Sequence, residues 1–270
     1  EPGVITVGGY VLNGNRRMAV LNNLVEQGDS SFGYLDVARL PGKVSAIDVW
    51  KIEAGIQLSR EKQLDYDPIN VLLKFEEGLN TGIEAKEMAQ SLYGGFKEKD
   101  IVEKLQQLKL IIQYLNYIKC PKQYHRVKGL DTHFIDLRKR LVNAEKRGLT
   151  RDEINDTKVI GFGLIFDGIQ RRELRKIDQI LADEKTREEF WKALDYSKSE
   201  SLAKKTQVKN DAENKDELTP LREIFADCLD SVKARDQKNQ PIKLLDRALK
   251  NLVTIEMKKS SFTSPKSVTL

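Results

Sequence analysis

Apolar positions divide the chain near residue 67: short alternating runs punctuated by glycine lie before it, and long helical stripes after it. Val4-Ile5-Thr6-Val7 and Tyr10-Val11-Leu12 are β-rich and separated by Gly8-Gly9, the pattern of a hairpin. Asn13-Gly14-Asn15 breaks the second strand. From Arg16 to Gln27, Met18, Leu21, Leu24 and Val25 recur at helical spacing, and Gly28 ends the run. Phe32 to Leu40 alternates as a further strand, Pro41-Gly42 turns, and Ser45 stands where it can N-cap a helix opening Ala46-Ile47-Asp48.

Asp67-Pro68 marks the change of period, an Asp cap followed by Pro at the first helical position. Ile69, Leu72, Leu73 and Phe75 then line one stripe, with Gly78 near its end. Ile83 to Leu92 is a second helix with Met88, Ala89 and Leu92 on one face, and Tyr93-Gly94-Gly95 is a turn. A third helix runs from about Lys97 to Ile118 on the stripe Ile101, Leu105, Leu108 and Ile112, and Pro121 stops it. Further helices are expected at 131–147, 151–166, 169–182 and 184–195. Residues 197–217 are polar and poor in apolar side chains, as in a linker. Leu221, Ile224, Phe225, Cys228 and Val232 make one later helix face, and Ile242, Leu245, Leu249 and Leu252 another. With Pro241 opening the second of these helices, 218–259 reads as a helical hairpin and 260–270 as a disordered tail. The fold class is therefore α+β and predominantly helical. A small α/β domain covers 1–66, a helical domain 67–196, and a helix-turn-helix pattern lies at about 82–108 within it.

Composition narrows the function classes. Hydrophobic residues make up 40% and charged residues 32%, an ordinary globular balance. No apolar run approaches the roughly 18 residues that span a bilayer, so no membrane partner is expected. Two distant cysteines, Cys120 and Cys228, read as free thiols of a reducing cytoplasm. His125 and His133 lack the neighbouring ligands that a zinc site needs, so no metal site is assigned. The net charge is +5, and residues 122–150 carry eight Lys or Arg against three Asp or Glu, an excess equal to that of the whole chain. A localised basic face suits a polyanion, because each phosphate contact releases counterions. A solvated helix face would give the same count.

Four groups of residues could carry chemistry. In Gly14-Asn15-Arg16-Arg17, a glycine at a strand end admits a ligand to the backbone, and the helix that follows attracts an anion at its N-terminus. Two arginines in a first turn oppose the helix dipole, and a bound phosphate would remove that conflict. A hairpin exit with two surface arginines is the alternative. Glu53 and Gln57 lie four apart on one helix face, where the carboxylate of Glu53 could act catalytically by holding a divalent cation or orienting water. A solvated surface pair has the same spacing. In the 82–108 pattern, small Ala89 admits a second helix that carries Lys97, Lys99, Lys104, Gln106 and Gln107. Glu98, Asp100 and Glu103 on that helix repel phosphates, and a helical hairpin with no DNA role fits the pattern too. The last group is the basic set Arg138, Lys139, Arg140, Lys146, Arg147, Arg171, Arg172 and Arg175, with Lys176, suited to contacts along a DNA backbone.

In this order the segments resemble the ParB/sulfiredoxin-like superfamily. Its phosphate turn has the form Gly-x-Arg-Arg followed by an early Ala, matched by Gly14-Asn15-Arg16-Arg17-Met18-Ala19. A second family box, roughly Glu-Asn-x-Gln-Arg, meets Ala54-Gly55-Ile56-Gln57-Leu58, in which only Ile56 and Gln57 agree; Glu53 supplies the acid if the register shifts by one. Asp67-Pro68 and residues 82–108 match the helix start and the helix-turn-helix, so the resemblance covers the chain to near residue 120. It implies a bacterial, cytoplasmic, nucleoid-associated protein of plasmid or chromosome partition. Such a protein binds duplex DNA as a homodimer and works with a partner ATPase or other subunits. It further implies CTP or another nucleotide with Mg²⁺ on Gly14, Asn15, Arg16, Arg17 and Gln57, slow triphosphate hydrolysis, and a family strand and helix expected before Glu1. The departures at Gly55 and Leu58 bear on hydrolysis and on the choice of CTP. Two other functions fit the same features. One is a metal-dependent nuclease or phosphotransferase on this fold, since folds do not fix function. The other is an assembly adaptor in a defence or partition complex, using the 242/245/249/252 stripe as a helix-packing seam.

Overall fold

The computed structural model describes residues 2–58, 67–92, 95–203 and 219–257. The chain is α+β and mostly helical, and it divides into two compact units. The first comprises residues 1–116 and 120–134, and the second 117–119 and 135–270.

The first unit opens with strands β1 (Gly3–Ile5) and β2 (Val11–Asn13), paired antiparallel with an irregular register between Val4 and Ile5. Strand β3 (Val37–Arg39) runs parallel to β1 on its other edge, giving the order β2-β1-β3. Helix α1 (Asn15–Glu26) lies between β2 and β3 in the chain. The strand expected over Phe32 to Leu40 is shortened at its start by a 3-10 turn, Ser30–Phe32, which the Asp29 side chain caps by accepting from the Ser31 backbone N–H at 3.0 Å.

Helix α2 (Ala46–Gln57) begins in a capping box. Ser45 Oγ accepts from the Asp48 N–H at 3.1 Å and the Asp48 carboxylate accepts from the Ser45 N–H at 3.4 Å. Helix α3 (Pro68–Asn80) starts as its sequence implies, with Asp67 accepting from the Ile69 N–H at 3.0 Å and Pro68 in the first turn. Helices α4 (Ala85–Ser91) and α5 (Glu98–Tyr117) complete the set. Trp50 and Ala54 of α2, Val71 and Phe75 of α3, Met88 of α4 and Ile101 of α5 meet in one core. The Trp50 indole N–H donates to the Lys74 carbonyl at 2.9 Å, so even the largest buried side chain has its polar atom satisfied.

The second unit is wholly helical among the described residues: most of α6 (Asp131–Lys146), then α7 (Arg151–Phe166), α8 (Arg171–Leu174), α9 (Ile177–Ala182), α10 (Glu184–Ala203) and α11 (Pro220–Met257). Thr150 and Glu153 form a second capping box at the start of α7. Leu137, Ile160, Leu164, Leu174, Ile180 and Phe190 are buried in this unit, and α10 packs on α7 and α11.

Three expected boundaries differ. The helix expected over 169–182 is two short ones, α8 and α9. Helix α10 continues through 203, into the stretch read as linker, of which 204–217 lies outside the described residues. The expected hairpin at 218–259 is one 38-residue helix with Pro241 inside it. Proline has no N–H to give the carbonyl four residues before, yet the flanking turns of α11 stay helical on both sides. Residues 258–270, which include the expected tail, lie outside the described residues.

Candidate functional site

Gly14 stands as the N-cap of α1 with φ at 106°, a left-handed conformation that a side chain strains. A Cβ there would also lie 3.2 Å from the Cα of Gly3 on β1. Gly14 has no side chain with which to cap α1, and no acid lies in its first turn. The first intrahelical bond is Met18 N–H to the Gly14 carbonyl at 2.8 Å, so the amides of Asn15, Arg16 and Arg17 precede the helical ladder. Asn15, Arg16 and Arg17 are exposed, and α1 buries none of its residues. Beside this turn lies a cavity of about 770 Å³. Arg17 and Leu21 of α1 line it, together with Phe32, Tyr34 and Asp36 of the loop before β3. Sequence reasoning missed this loop; its signal was two aromatics in a Ser- and Gly-rich stretch following the arginine turn. The Asp29 carboxyl at its base is held below the ordinary carboxylate range, first by the Ser31 hydroxyl and then by the Ser31 amide.

Glu53 and Gln57 do share a face, and the Gln57 side-chain amide donates to Glu53 Oε1 at 2.8 Å. The other Glu53 oxygen meets Lys74 Nζ of α3 at 2.7 Å. Lys74 is only 7% exposed and also pairs with Glu77 at 2.8 Å. This carboxylate thus joins α2 to α3 by neutralising a buried ammonium. Among the described residues, neither Glu53 nor Gln57 lines the cavity beside α1.

Helices α4 and α5 are joined through a turn whose residues 93–94 lie outside the described residues. Asp100 accepts from the Lys97 backbone N–H at 3.0 Å, and Glu98 and Asp100 place negative charge in the first turn of α5, where the helix dipole favours it. Lys97 and Lys99 are exposed, and Lys99 pairs loosely with Glu103. Burial of Lys104 holds its ammonium below the ordinary lysine range, against the pull of Asp100 and Asp131. The leading end of the would-be reading helix is therefore acidic. An apolar groove of about 730 Å³ runs beside it, lined by Leu79, Val102, Leu105 and Ile112 with Glu76 and Lys109 at polar positions.

In the second unit the basic set separates into two groups. Asp136, 4% exposed at its side chain, accepts from Arg171 Nε at 2.6 Å and Arg175 Nε at 2.8 Å. Burial pushes the Asp136 carboxyl up, but the hydrogen bonds and charges of Arg175 and Arg171 outweigh it and hold the group below its ordinary value. Asp178 forms an ion pair with Arg140 and accepts a hydrogen bond from the Asn143 side-chain amide at 3.1 Å, while Arg147 donates to its main-chain carbonyl at 2.8 Å. Four of the eight basic residues thus tie α6 to α8 and α9. Lys139, Lys146 and Arg172 are exposed, as are Arg147 and Arg175 beyond their bonds to Asp178 and Asp136, and Arg138 is half-buried.

Among the described residues, no group of three or more His, Cys, Asp or Glu converges as a metal site would, and no helix is long and apolar enough to cross a membrane. Comparison with known proteins finds no matching family model, no matching curated protein and no matching solved structure.

Proposed function

We propose that this chain is a ParB-like, DNA-associated protein in which the turn Gly14 to Arg17 holds the phosphates of a nucleotide and the helical part holds duplex DNA. The observation that carries the reading is the start of α1 at left-handed Gly14, with two exposed arginines in its first turn and an adjoining cavity of about 770 Å³. The leading amides and the helix dipole both favour an anion there, and the arginines that would destabilise an empty helix start become its ligands. DNA would meet Lys139, Lys146, Arg147, Arg172 and Arg175, which reach solvent, more than the acidic start of α5. The engagement of Glu53 by Lys74 speaks against an enzyme that uses this carboxylate as its base.

The test is a binding panel of nucleoside triphosphates with Mg²⁺, with and without duplex DNA, on the wild type and on the double variant Arg16→Ala, Arg17→Ala. Triphosphate binding lost in the variant is the expected result, and binding that survives it sinks the phosphate assignment. A second reading has a specific observation in its favour. Ile242, Leu244, Leu245, Leu249 and Leu252 of α11 are each 57% to 71% exposed, which suits a subunit-packing role. Leu245→Glu with Leu249→Glu would change the oligomeric state on that reading and leave it untouched otherwise.

A further inference from the structure

The cavity beside α1 brings together chemically different side chains. Arg17 reaches it from the helix, and Phe32, Tyr34 and Asp36 reach it from the loop before β3. Phe32 is 39% and Tyr34 74% exposed, so both rings present area that a ligand could cover. The loop is not a loose excursion. Asp29 ties down Ser31, the Gly33 N–H donates to the Ser30 carbonyl at 3.2 Å, and the Asp36 carbonyl accepts from the Gly3 N–H of β1 at 2.8 Å. Both rings are therefore held at the cavity by backbone anchored before and after them.

We infer that Phe32 and Tyr34 form a stacking platform for the base of a nucleotide whose phosphates lie at the Gly14 to Arg17 turn, an inference that rests on the phosphate reading above. Aromatic faces stack on any base, and one such contact typically contributes a factor of about ten or more in affinity. The volume of about 770 Å³ lies within the range of small-molecule pockets, room enough for a base and its ribose. Asp36 fixes the direction. Its carboxylate repels phosphate, so the phosphates go to Arg17 and the base edge or a ribose hydroxyl meets Asp36 as donor. The ligand is a free nucleotide. In a single strand the same base would bring neighbouring phosphates towards Asp36.

The experiment compares the four common nucleoside triphosphates with inorganic tripolyphosphate on the full chain by calorimetry, with a short single-stranded oligonucleotide as competitor. The wild type binds at least one nucleoside triphosphate about tenfold or more tighter than tripolyphosphate. Phe32→Ala and Tyr34→Ala remove that difference and leave tripolyphosphate binding unchanged, whereas Arg17→Ala weakens both ligands. Equal affinity of the wild type for nucleotide and tripolyphosphate overturns the platform while the phosphate reading stands. Nucleotide affinity unchanged in Tyr34→Ala and Phe32→Ala does the same. Binding of neither ligand overturns both readings, and an oligonucleotide that outcompetes every nucleotide overturns the assignment to a free nucleotide. Both rings are solvent-exposed, so their removal leaves the core intact, and unchanged tripolyphosphate binding reports the fold of each variant.

Discussion

Two glycine-to-alanine substitutions on neighbouring helices are expected to change stability in opposite directions. At Gly78 of α3, an added methyl would sit 2.8 Å from two ring carbons of Trp50 and 2.8 Å from the terminal methyl of Met88. The methionine end can swing away. The indole cannot easily do so, because it is 2% exposed and its N–H is bound to the Lys74 carbonyl at 2.9 Å. Ordinary contact at 3.4 Å or more needs the ring to move by about 0.6 Å, which overpacks the α2–α3 core and strains that bond. Overpacking costs about 1–3 kcal/mol, and alanine returns about 0.5–1 kcal/mol as a better helix former. Gly78→Ala should therefore lose on the order of 1–2 kcal/mol. At Gly55 of α2 nothing lies within 4 Å of the added methyl, so only the gain of about 0.5–1 kcal/mol remains. The chain has two tryptophans, and in a Trp191→Phe background the fluorescence of Trp50 follows urea unfolding of its own unit. With a slope of about 2 kcal/mol per molar, the Gly78→Ala midpoint falls by roughly 0.5–1 M and that of Gly55→Ala rises by a few tenths. A Gly78→Ala midpoint equal to or above that of the parent refutes the packing argument.

Three further outcomes follow from the polar contacts. Glu53→Gln leaves buried Lys74 with Glu77 alone and should cost about 1–2 kcal/mol in the same urea assay while triphosphate binding is unchanged; lost binding with an unchanged midpoint would return Glu53 to the site. Because the Asp136 carboxyl titrates lower in the folded chain than its ordinary 3.8, its contribution is complete above that value and is lost as pH falls through the lowered one. The stability gap between wild type and Asp136→Asn should thus be flat near neutrality and close at acid pH, and a gap that widens on acidification contradicts the sign. For duplex DNA, Lys139→Ala, Lys146→Ala and Arg172→Ala should each lower the slope of log affinity against log salt by about 0.9 for every phosphate no longer neutralised. Unchanged slopes in all three would remove DNA from this face.

Local signals were the legible part of the fold. Ser45 and Asp67 cap where their sequence implies, because a cap is decided within four residues. Helix α7 spans the expected 151–166, fixed by its capping box. Pro241 misled because a proline reads the same at the start of a helix as inside a long one. The partners of the charges were not legible at all. Asp136 lies 35 and 39 residues from Arg171 and Arg175, and Glu53 lies 21 residues from Lys74, so no local spacing announces either pair. The Gly14 turn was visible by motif, but that Phe32 and Tyr34 share a cavity with Arg17 depends on how β3 returns alongside β1.

The shared carboxylate of Asp136 gives the second unit an asymmetric tolerance to drift. Loss of Arg171 or Arg175 still leaves Asp136 with one guanidinium, whereas loss of Asp136 deprives two cations at once. Over many generations the two arginines can be exchanged one at a time, each step cushioned by its twin, while Asp136 has no such understudy. A survey of tolerated substitutions in this unit should therefore find Asp136 more restricted than Arg171 or Arg175.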